Sequence, residues 1–552
     1  MRLNPAIRTI LNKRGISTAE EAVEFITDKP QTLFDPFLMP DMAEAADEIL
    51  SAIEDGLSIC IYGDYDADGV TATSLMMDVL KTLGANCSYY IPSRFDDGYG
   101  LNIPAIDKIK AAGADMIITV DCGCTSAKEV RHALDIGLEI IVTDHHAMSD
   151  EIPECLLIDP QRSDSRYPFK YLAGVGVAFK LAQALCSEAG LQKRVLTRNL
   201  DLVCIGTIGD IVPLVSENRT LTKYGLRVIN SPVRPGLSAL IDATGLKRGG
   251  ITSENISYVI TPHINAVGRM SNATLAARLM QTNDPERAAG LVAEMREANA
   301  LRQKTQNEIM DVCEQKLAEA GGPGDYIMIP LENAHEGVIG IVAGKLKEKY
   351  YMPSIVLTDI GDGLYKGTGR SIDSVNILKA LTVRRDIFER VGGHAMACGF
   401  TIKKERLPEL RESLDAVFSK WRADHPEDWK RRVEPEVELK PEYIDGSFFE
   451  QQRMLAPFGK QNEKPVVGLE VYPQYCSRVG KEGQFLKFSG RLADGRQIRG
   501  IDFKRADEHE RVIENAALGH APFPAVGNID EQEWNGNKYM EINLLSIGSE
   551  EA

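Results

Sequence analysis

From Leu57 to about Pro160 one pattern recurs: a short, continuous apolar run stops at an acidic or histidine-bearing turn, and a helical stretch follows. The runs are SICIYGDYDADG, MIITVDCG, EIIVTDHH and CLLIDP. Uninterrupted apolar strands between helices predict a parallel sheet covered on both faces. Ligand sites in such sheets lie outside the carboxyl ends of the strands. Those ends carry Asp64, Asp66, Asp68, Asp121, Asp144, His145, His146 and Asp159. Four successive strands thus deliver acids to one rim.

A mainly helical stretch follows, from about Leu172 to Ala300. The charged and apolar periodicity from about Pro285 to Ala320 predicts a connecting helix, with Asp284 and Pro285 suited to its N-cap and first turn. From about Asp325 to Lys420 strands (YIMIP, SIVLT) alternate with helices (VIGIVAGKLKEKY, VNILKAL), predicting a second α/β domain. After about Val433 short strands and turns take over, with QFLKFSG and a hairpin signal at Asn535-Gly536. A small antiparallel barrel of the oligonucleotide-binding (OB) type fits that pattern. The expected fold class is therefore α/β, divided into a helical segment (1–45), a parallel-sheet domain (46–230), a helical region with its connecting helix (231–322), a second α/β domain (323–425) and a barrel (433–549).

Composition narrows the class without naming the chemistry. A chain of 552 residues is too long for one core. No apolar stretch approaches the roughly 20 residues of a membrane span, and the N-terminus lacks a signal-peptide core. A cytoplasmic protein with no membrane partner is expected. Ten cysteines without C-x-x-C pairs predict reduced, mostly buried thiols. The net charge of −17 argues against coating nucleic acid with the whole surface, and leaves a local basic groove open.

Asp64, Asp66 and Asp68 stand at i, i+2 and i+4, which share one face if the chain is extended, and Gly69 predicts a sharp turn after them. Three carboxylates so close repel unless cations sit among them. Carboxylates with imidazoles and no thiolate pattern suit manganese or magnesium. A solvated acidic loop is the plain alternative, and Asp121 and Asp144-His145-His146 at the same rim weigh against it. Asp210, in GTIGDIVPL, can add a carboxylate from the helical part. In SRFDDGYGL, Arg94 can fork onto a phosphate and Tyr99 can stack a base, although an ordinary surface loop would carry the same residues. KGTGRSI reads as a glycine-rich loop whose amides, with Thr368 and Arg370, cradle a terminal phosphate. GGHAMACG places His394 on a glycine turn.

In order and spacing, DYDADGVTATSL, ITVDCG, VTDHH and GDIVPL resemble the four motifs of the DHH phosphoesterases. ITPHINAVGRM, EGVIGIVAGKLKEKYYMPSIVL, GTGRSI, GGHAMACGF and MLAPFGKQNEKP extend the resemblance over nearly the whole chain, toward the branch that degrades single-stranded DNA. It implies that Asp66, Asp68, Asp121, His145 and Asp210 bind two manganese or magnesium ions, with Asp121 bridging and Asp64 a close ligand or orienter. It implies catalytic roles for Asp144, His145 and His146, the last near the scissile phosphate, and brings Arg269 to the reacting phosphate. The second α/β domain resembles DHHA1, which closes over substrate in this family. The implied activity is 5′→3′ hydrolysis of single-stranded DNA to 5′-mononucleotides in repair and recombination. The implied partners are a single strand with a 5′ end, a single-strand-binding protein and a RecQ-type helicase, around a monomeric enzyme. Two departures stand out. His263 occupies a position where the family has arginine, implying a weaker phosphate contact, and GKQNEKP alters a segment concerned with domain packing. A DHH phosphatase of short oligonucleotides, cyclic dinucleotides or pyrophosphate would lack the barrel. A non-catalytic scaffold on this fold would lose the metal carboxylates.

Overall fold

Buried β-branched and aliphatic residues on both faces make β1 (Ser58–Tyr62) and β3 (Met116–Val120) central strands. With β2 (Asn86–Tyr90), β4 (Glu139–Thr143) and β5 (Leu156–Ile158) they form a wholly parallel sheet in the order β2-β1-β3-β4-β5. The computed structural model describes residues 3–94, 100–231, 234–534 and 536–548. Strand order reverses direction between β1 and β3, so the connections leaving these two strands part and open a crevice at their carboxyl ends. The helix Ala67–Leu83, which follows β1, is buried nearly all round, as are Gly174–Glu188 and Leu200–Gly209. The parallel sheet and these helices share one hydrophobic core.

The chain divides into two compact units, one of residues 27–302 and 456–463, the other of residues 1–26, 303–455 and 464–552. The division falls within the predicted connecting helix, which runs Pro285–Glu319. Asp284 caps it, accepting from the Glu286 N–H at 2.9 Å. Residues 456–463 carry most of the GKQNEKP departure and belong to the parallel-sheet unit. There Leu214 N–H donates to the Lys460 carbonyl (2.8 Å), and Arg219 Nη2 donates to the Ala456 carbonyl (3.0 Å).

The second unit holds two sheets. In the first, β6 (Ile327–Leu331), β7 (Ser354–Asp359), β8 (Leu364–Arg370), β9 (Phe388–Gly393) and β10 (Ala397–Lys403) lie in the order β6-β7-β8-β10-β9, parallel only at β6–β7. KGTGRSI is therefore not a loop: Lys366–Arg370 is the C-terminal part of β8, laddered on both sides, and its amides are committed to β7 and β10. Glycine is needed there because a Cβ at Gly367 would collide with the Phe400 ring. The second sheet is the barrel, β11 (Val437–Glu438), β12 (Val467–Val479), β13 (Phe485–Arg491), β14 (Gln497–Asp502), β15 (Phe523–Trp534) and β16 (Asn537–Ile547), closed by β12–β15. It is not purely antiparallel, since β14 and β16 run parallel. The helix Ala506–Leu518 carries the chain from β14 to β15, and the hairpin return, β16, then lies beside β14 in the same direction. Gly536 turns that hairpin at φ 77°, while Asn535 lies outside the described residues. Among the described residues no helix is long and apolar enough to cross a membrane. All ten cysteines are unpaired.

Candidate metal centre

The acidic loop after β1 is not extended across its three aspartates. Asp66 is the N-cap of Ala67–Leu83, its Oδ1 accepting from the N–H groups of Asp68 (2.9 Å) and Gly69 (3.1 Å), so Asp68 already sits in the first helical turn. Gly69 does not turn the chain. A Cβ there would stand 2.5 Å from the Asp64 carbonyl oxygen, so its role is close approach of helix and loop. The loop is held from the side by Asn265, whose Oδ1 accepts the Ala67 N–H at 2.7 Å.

The helix Gly174–Glu188 aims its first amides at Asp68: Gly174 N–H donates to Oδ2 (2.7 Å) and Val175 N–H to Oδ1 (2.9 Å). Any side chain at Gly174 would run into the Asp121 carboxylate. Asp121, just past β3, adopts the left-handed conformation (φ 63°), which aspartate tolerates better than most residues. From the next strand, His145 points its Nε2 into the same space, 3.1 Å from Asp121 Oδ1, 3.7 Å from Asp210 Oδ2 and 4.0 Å from Asp68 Oδ2. Gln161, on the turn after β5, donates to the His145 carbonyl.

Three groupings emerge whose potential ligand atoms lie within 4.8 Å of one another: Asp68, His145 and Asp210; Asp64, Asp66 and Asp121; and Asp121, Asp144, His145 and His146. Asp144 is the odd member. Its Oδ2 accepts from Cys124 N–H (2.9 Å), and its Oδ1 from His145 N–H (2.7 Å) and His146 Nδ1 (2.7 Å), so both oxygens are engaged. Its bond to Nδ1 orients the His146 ring, while one of its oxygens stays within 4.8 Å of the Asp121 carboxylate.

The electrostatics separate the same two roles. Burial pushes the carboxyls of Asp64, Asp68, Asp121 and Asp210 up. Neighbouring carboxylates add to this, chiefly Asp66 against Asp64, Asp210 against Asp68 and Asp68 against Asp121. Burial also works against the charge of Asp144, but the bonds from His146 prevail and hold it well below the usual carboxylate range. His146 is lowered by burial and raised more by Asp144, to about 9. Asp159, fully buried, is raised to about 7 by desolvation, with one oxygen accepting from Gln161 N–H at 2.7 Å.

These residues fit divalent cations. Asp64 Oδ1 and His145 Nε2 are buried with no hydrogen-bond partner, and several carboxylates crowd one desolvated space. Buried groups without partners are costly. Hard oxygen donors plus one imidazole nitrogen are the donor set of manganese or magnesium.

The remaining expected residues fall into three cases. Arg94 lies over the Tyr65 ring at 4.1 Å, and its charge lowers Asp64 somewhat against the larger effect of burial. Tyr99 lies outside the described residues. Arg269 lies in the last turn of the helix Thr261–Met270, and its charge reaches the Tyr65 hydroxyl. His263 bonds Val259 O, one turn back on its own helical stretch, through Nδ1 (2.7 Å) and Asn299 Nδ2 through Nε2 (3.2 Å), so both ring nitrogens are engaged within the protein. In the other unit, Arg370 ends β8 with Nη1 on the Gly369 carbonyl (2.8 Å) and Thr368 Oγ1 (3.3 Å). Burial lowers its pKa, and among the described residues no carboxylate pairs with it. Ala397 pairs with Arg370 in the ladder, so the exposed β9–β10 turn carrying His394 lies at the same strand end. Spacing alone missed Gly174, Val175, Asn265 and Gln161. The glycine pair in AGVGVAF was the one available signal.

The fold and rim place this chain among the DHH/DHHA1 phosphoesterases. Models of the DHH family N-terminal domain, the DHHA1 domain and the RecJ OB domain match residues 58–207, 324–420 and 436–546. The single-stranded-DNA-specific exonuclease RecJ of Bacillus subtilis is 37% identical over 547 residues, covering 99% of this chain and 68% of that protein. That of Escherichia coli is 32% identical, covering 98% and 92%. Thermus thermophilus RecJ, solved in complex with Mn2+, superposes with a TM-score of 0.84 at 29% identity over 100% of this chain and 76% of that one. The same protein has been solved with Mg2+. This chain belongs to the RecJ family.

Proposed function

We propose that this chain is a metal-dependent exonuclease that hydrolyses single-stranded DNA from the 5′ end and releases 5′-mononucleotides. What carries the reading is the convergence of Asp64, Asp66, Asp68, Asp121, His145 and Asp210 at one parallel-sheet rim, in a chain of this family. Asp66, Asp68, Asp121, His145 and Asp210 would hold two divalent ions, with Asp121 shared between them and Asp64 close by. Bound there, such a pair lowers the pKa of a coordinated water and neutralises charge on attacking and leaving oxygens.

The protein's own groups do the rest. Gly174 and Val175 amides keep Asp68 from rotating, and the left-handed backbone of Asp121 turns its carboxylate inward. Asp144 holds His146 through Nδ1, which orients the ring to donate from Nε2 to a phosphate oxygen. Arg269 and Arg94 supply positive charge beside the acidic loop. Arg370, lacking a carboxylate partner, takes the terminal 5′-phosphate with Thr368, and His394 assists from the neighbouring turn. A grip on that phosphate is what sets 5′ polarity. The barrel holds the strand; on it Arg499 lies over the Tyr539 ring at 4.5 Å and Tyr475 is largely exposed. By the same family likeness the enzyme works as a cytoplasmic monomer with a single-strand-binding protein and a RecQ-type helicase.

End-labelled digestion tests the reading. With manganese, 5′-phosphorylated single strands should yield mononucleotides, and blunt duplexes should resist. Turnover of dinucleotides with none of long strands would point to a short-oligonucleotide phosphatase instead.

A further inference from the structure

We propose that a cationic groove at the seam between the DHHA1 sheet's outer helix and the barrel is a second binding site for single-stranded nucleic acid, distinct from the barrel's strand face. The proposal rests on the exonuclease reading for its choice of ligand. Two adjoining hollows of about 590 and 380 Å³ share Glu348, Tyr351, Arg431, Lys504 and Arg505. They lie between the end of the helix Glu336–Tyr350, the segment 429–433 and the β14-to-helix corner of the barrel. In a chain of net charge −17 a concave surface dominated by lysine and arginine stands against the background.

Three acids line the hollows, Glu348, Glu508 and the exposed Asp373, and the first two are already paired. Glu348 is engaged by Lys347 and by Arg431, whose Nη2 lies 2.9 Å from its carbonyl and 3.2 Å from its carboxylate. Glu508 is taken by Arg505 through Nε and Nη2. Lys345, Arg432 and Lys504 make no ion pair among the described residues, and all three are exposed. Arg505 is set rigidly. Its side chain is 11% exposed, its Nη1 is buried without a partner, and its N–H and that of Lys504 both donate to Asp502 Oδ1 at 2.9 Å. His509 braces Asp502 from behind at 2.7 Å. A fixed guanidinium with a spare donor, beside exposed lysines, suits a run of phosphates.

The groove also carries aromatic rings. Tyr351 follows the helix in the left-handed conformation (φ 48°), rare for a bulky residue, with the Arg431 guanidinium over its ring at 5.1 Å. Phe503 is about half exposed, braced edge-on by Phe485 at 5.3 Å. Rings interleaved with cations bind strands whose bases are free to stack, which a duplex cannot offer.

The test is fluorescence anisotropy of a labelled oligo(dT) on the full-length protein in EDTA, across a salt series. Arg432→Glu/Lys504→Glu changes two exposed side chains, and circular dichroism with the melting temperature checks its fold. It should weaken binding about tenfold at moderate salt and flatten the log K against log salt slope by roughly 1.4, about 0.7 for each phosphate that is no longer neutralised. Strands bearing 5-iododeoxyuridine should crosslink to Tyr351 or Phe503. Unchanged affinity and slope in the folded variant would overturn the groove while leaving the exonuclease reading intact. Equal loss of blunt-duplex binding, or loss only of binding to an acidic peptide, would overturn the single-strand assignment. A wild-type protein that binds the strand yet never degrades one would instead remove the exonuclease reading.

Discussion

The two α/β sheets of this chain use their strand ends differently. In the β2-β1-β3-β4-β5 sheet every strand runs the same way, so the residues after β1, β3, β4 and β5 arrive at one rim. Asp64, Asp121, Asp144 and Asp159 come from four separate connections, and only parallel topology brings them together. In the β6-β7-β8-β10-β9 sheet direction alternates after β7, so successive connections go to opposite edges. Among the described residues no comparable cluster forms there. That sheet instead offers Arg370, at the end of a strand whose amides are already used. A parallel rim can gather many weak like-charged donors for a cation, whereas a mixed sheet is better suited to one strong donor for an anion.

The largest expected effect lies at the parallel rim. Asp121→Asn, chosen because asparagine also tolerates φ 63°, should cut turnover by at least about 10³-fold. It should also abolish a manganese-induced rise in melting temperature, which in the wild type should reach roughly 5–10 °C near a hundredfold excess over Kd. A variant that keeps that rise would break the claim that this carboxylate is shared between ions. Asp144→Asn should lower turnover by roughly 10–100-fold, as loss of an orienting group does, with the manganese shift largely kept. If isothermal titration shows metal affinity collapsing with it, Asp144 is a ligand and not an orienter. Arg370→Gln should narrow the preference for 5′-phosphate over 5′-hydroxyl ends about tenfold, the worth of one charge-assisted hydrogen bond. Competition kinetics with the two substrates would read it, and an unchanged ratio would place the terminal phosphate elsewhere. Gly367→Ala should have the least effect on the metal rim. Its methyl must displace the Phe400 ring, costing about 1–3 kcal/mol in urea unfolding, while the manganese shift persists.

Much of the rim was readable because it depends on local rules. Apolar runs of strand length ending in Asp or His, separated by helices, imply both the sheet type and the edge where the acids gather. Other features were misread for identifiable reasons. Glycines in KGTGRSI suggested a loop, but they serve to let the Phe400 ring lie on β8, a contact between residues 33 positions apart. The i, i+2, i+4 aspartates suggested extended chain, yet Asp66 starts a helix, and a cap is defined by where the helix begins. For His263 the sequence was silent on what the ring touches. Its two ring nitrogens are occupied by Val259 and Asn299, which spacing could not reveal.

Residue order alone determined that several acids and imidazoles would stand at the carboxyl ends of strands, because apolar runs that stop at acidic turns, with helices between them, are local patterns of the chain. Only the tertiary structure decided which of them face a common space and which brace the others. Asp68 is locked by amides 106 and 107 positions away, and both oxygens of Asp144 are engaged, by Cys124 and by His146. Such choices come from packing between distant segments, whose hydrogen bonds and steric limits exist only once the core has closed.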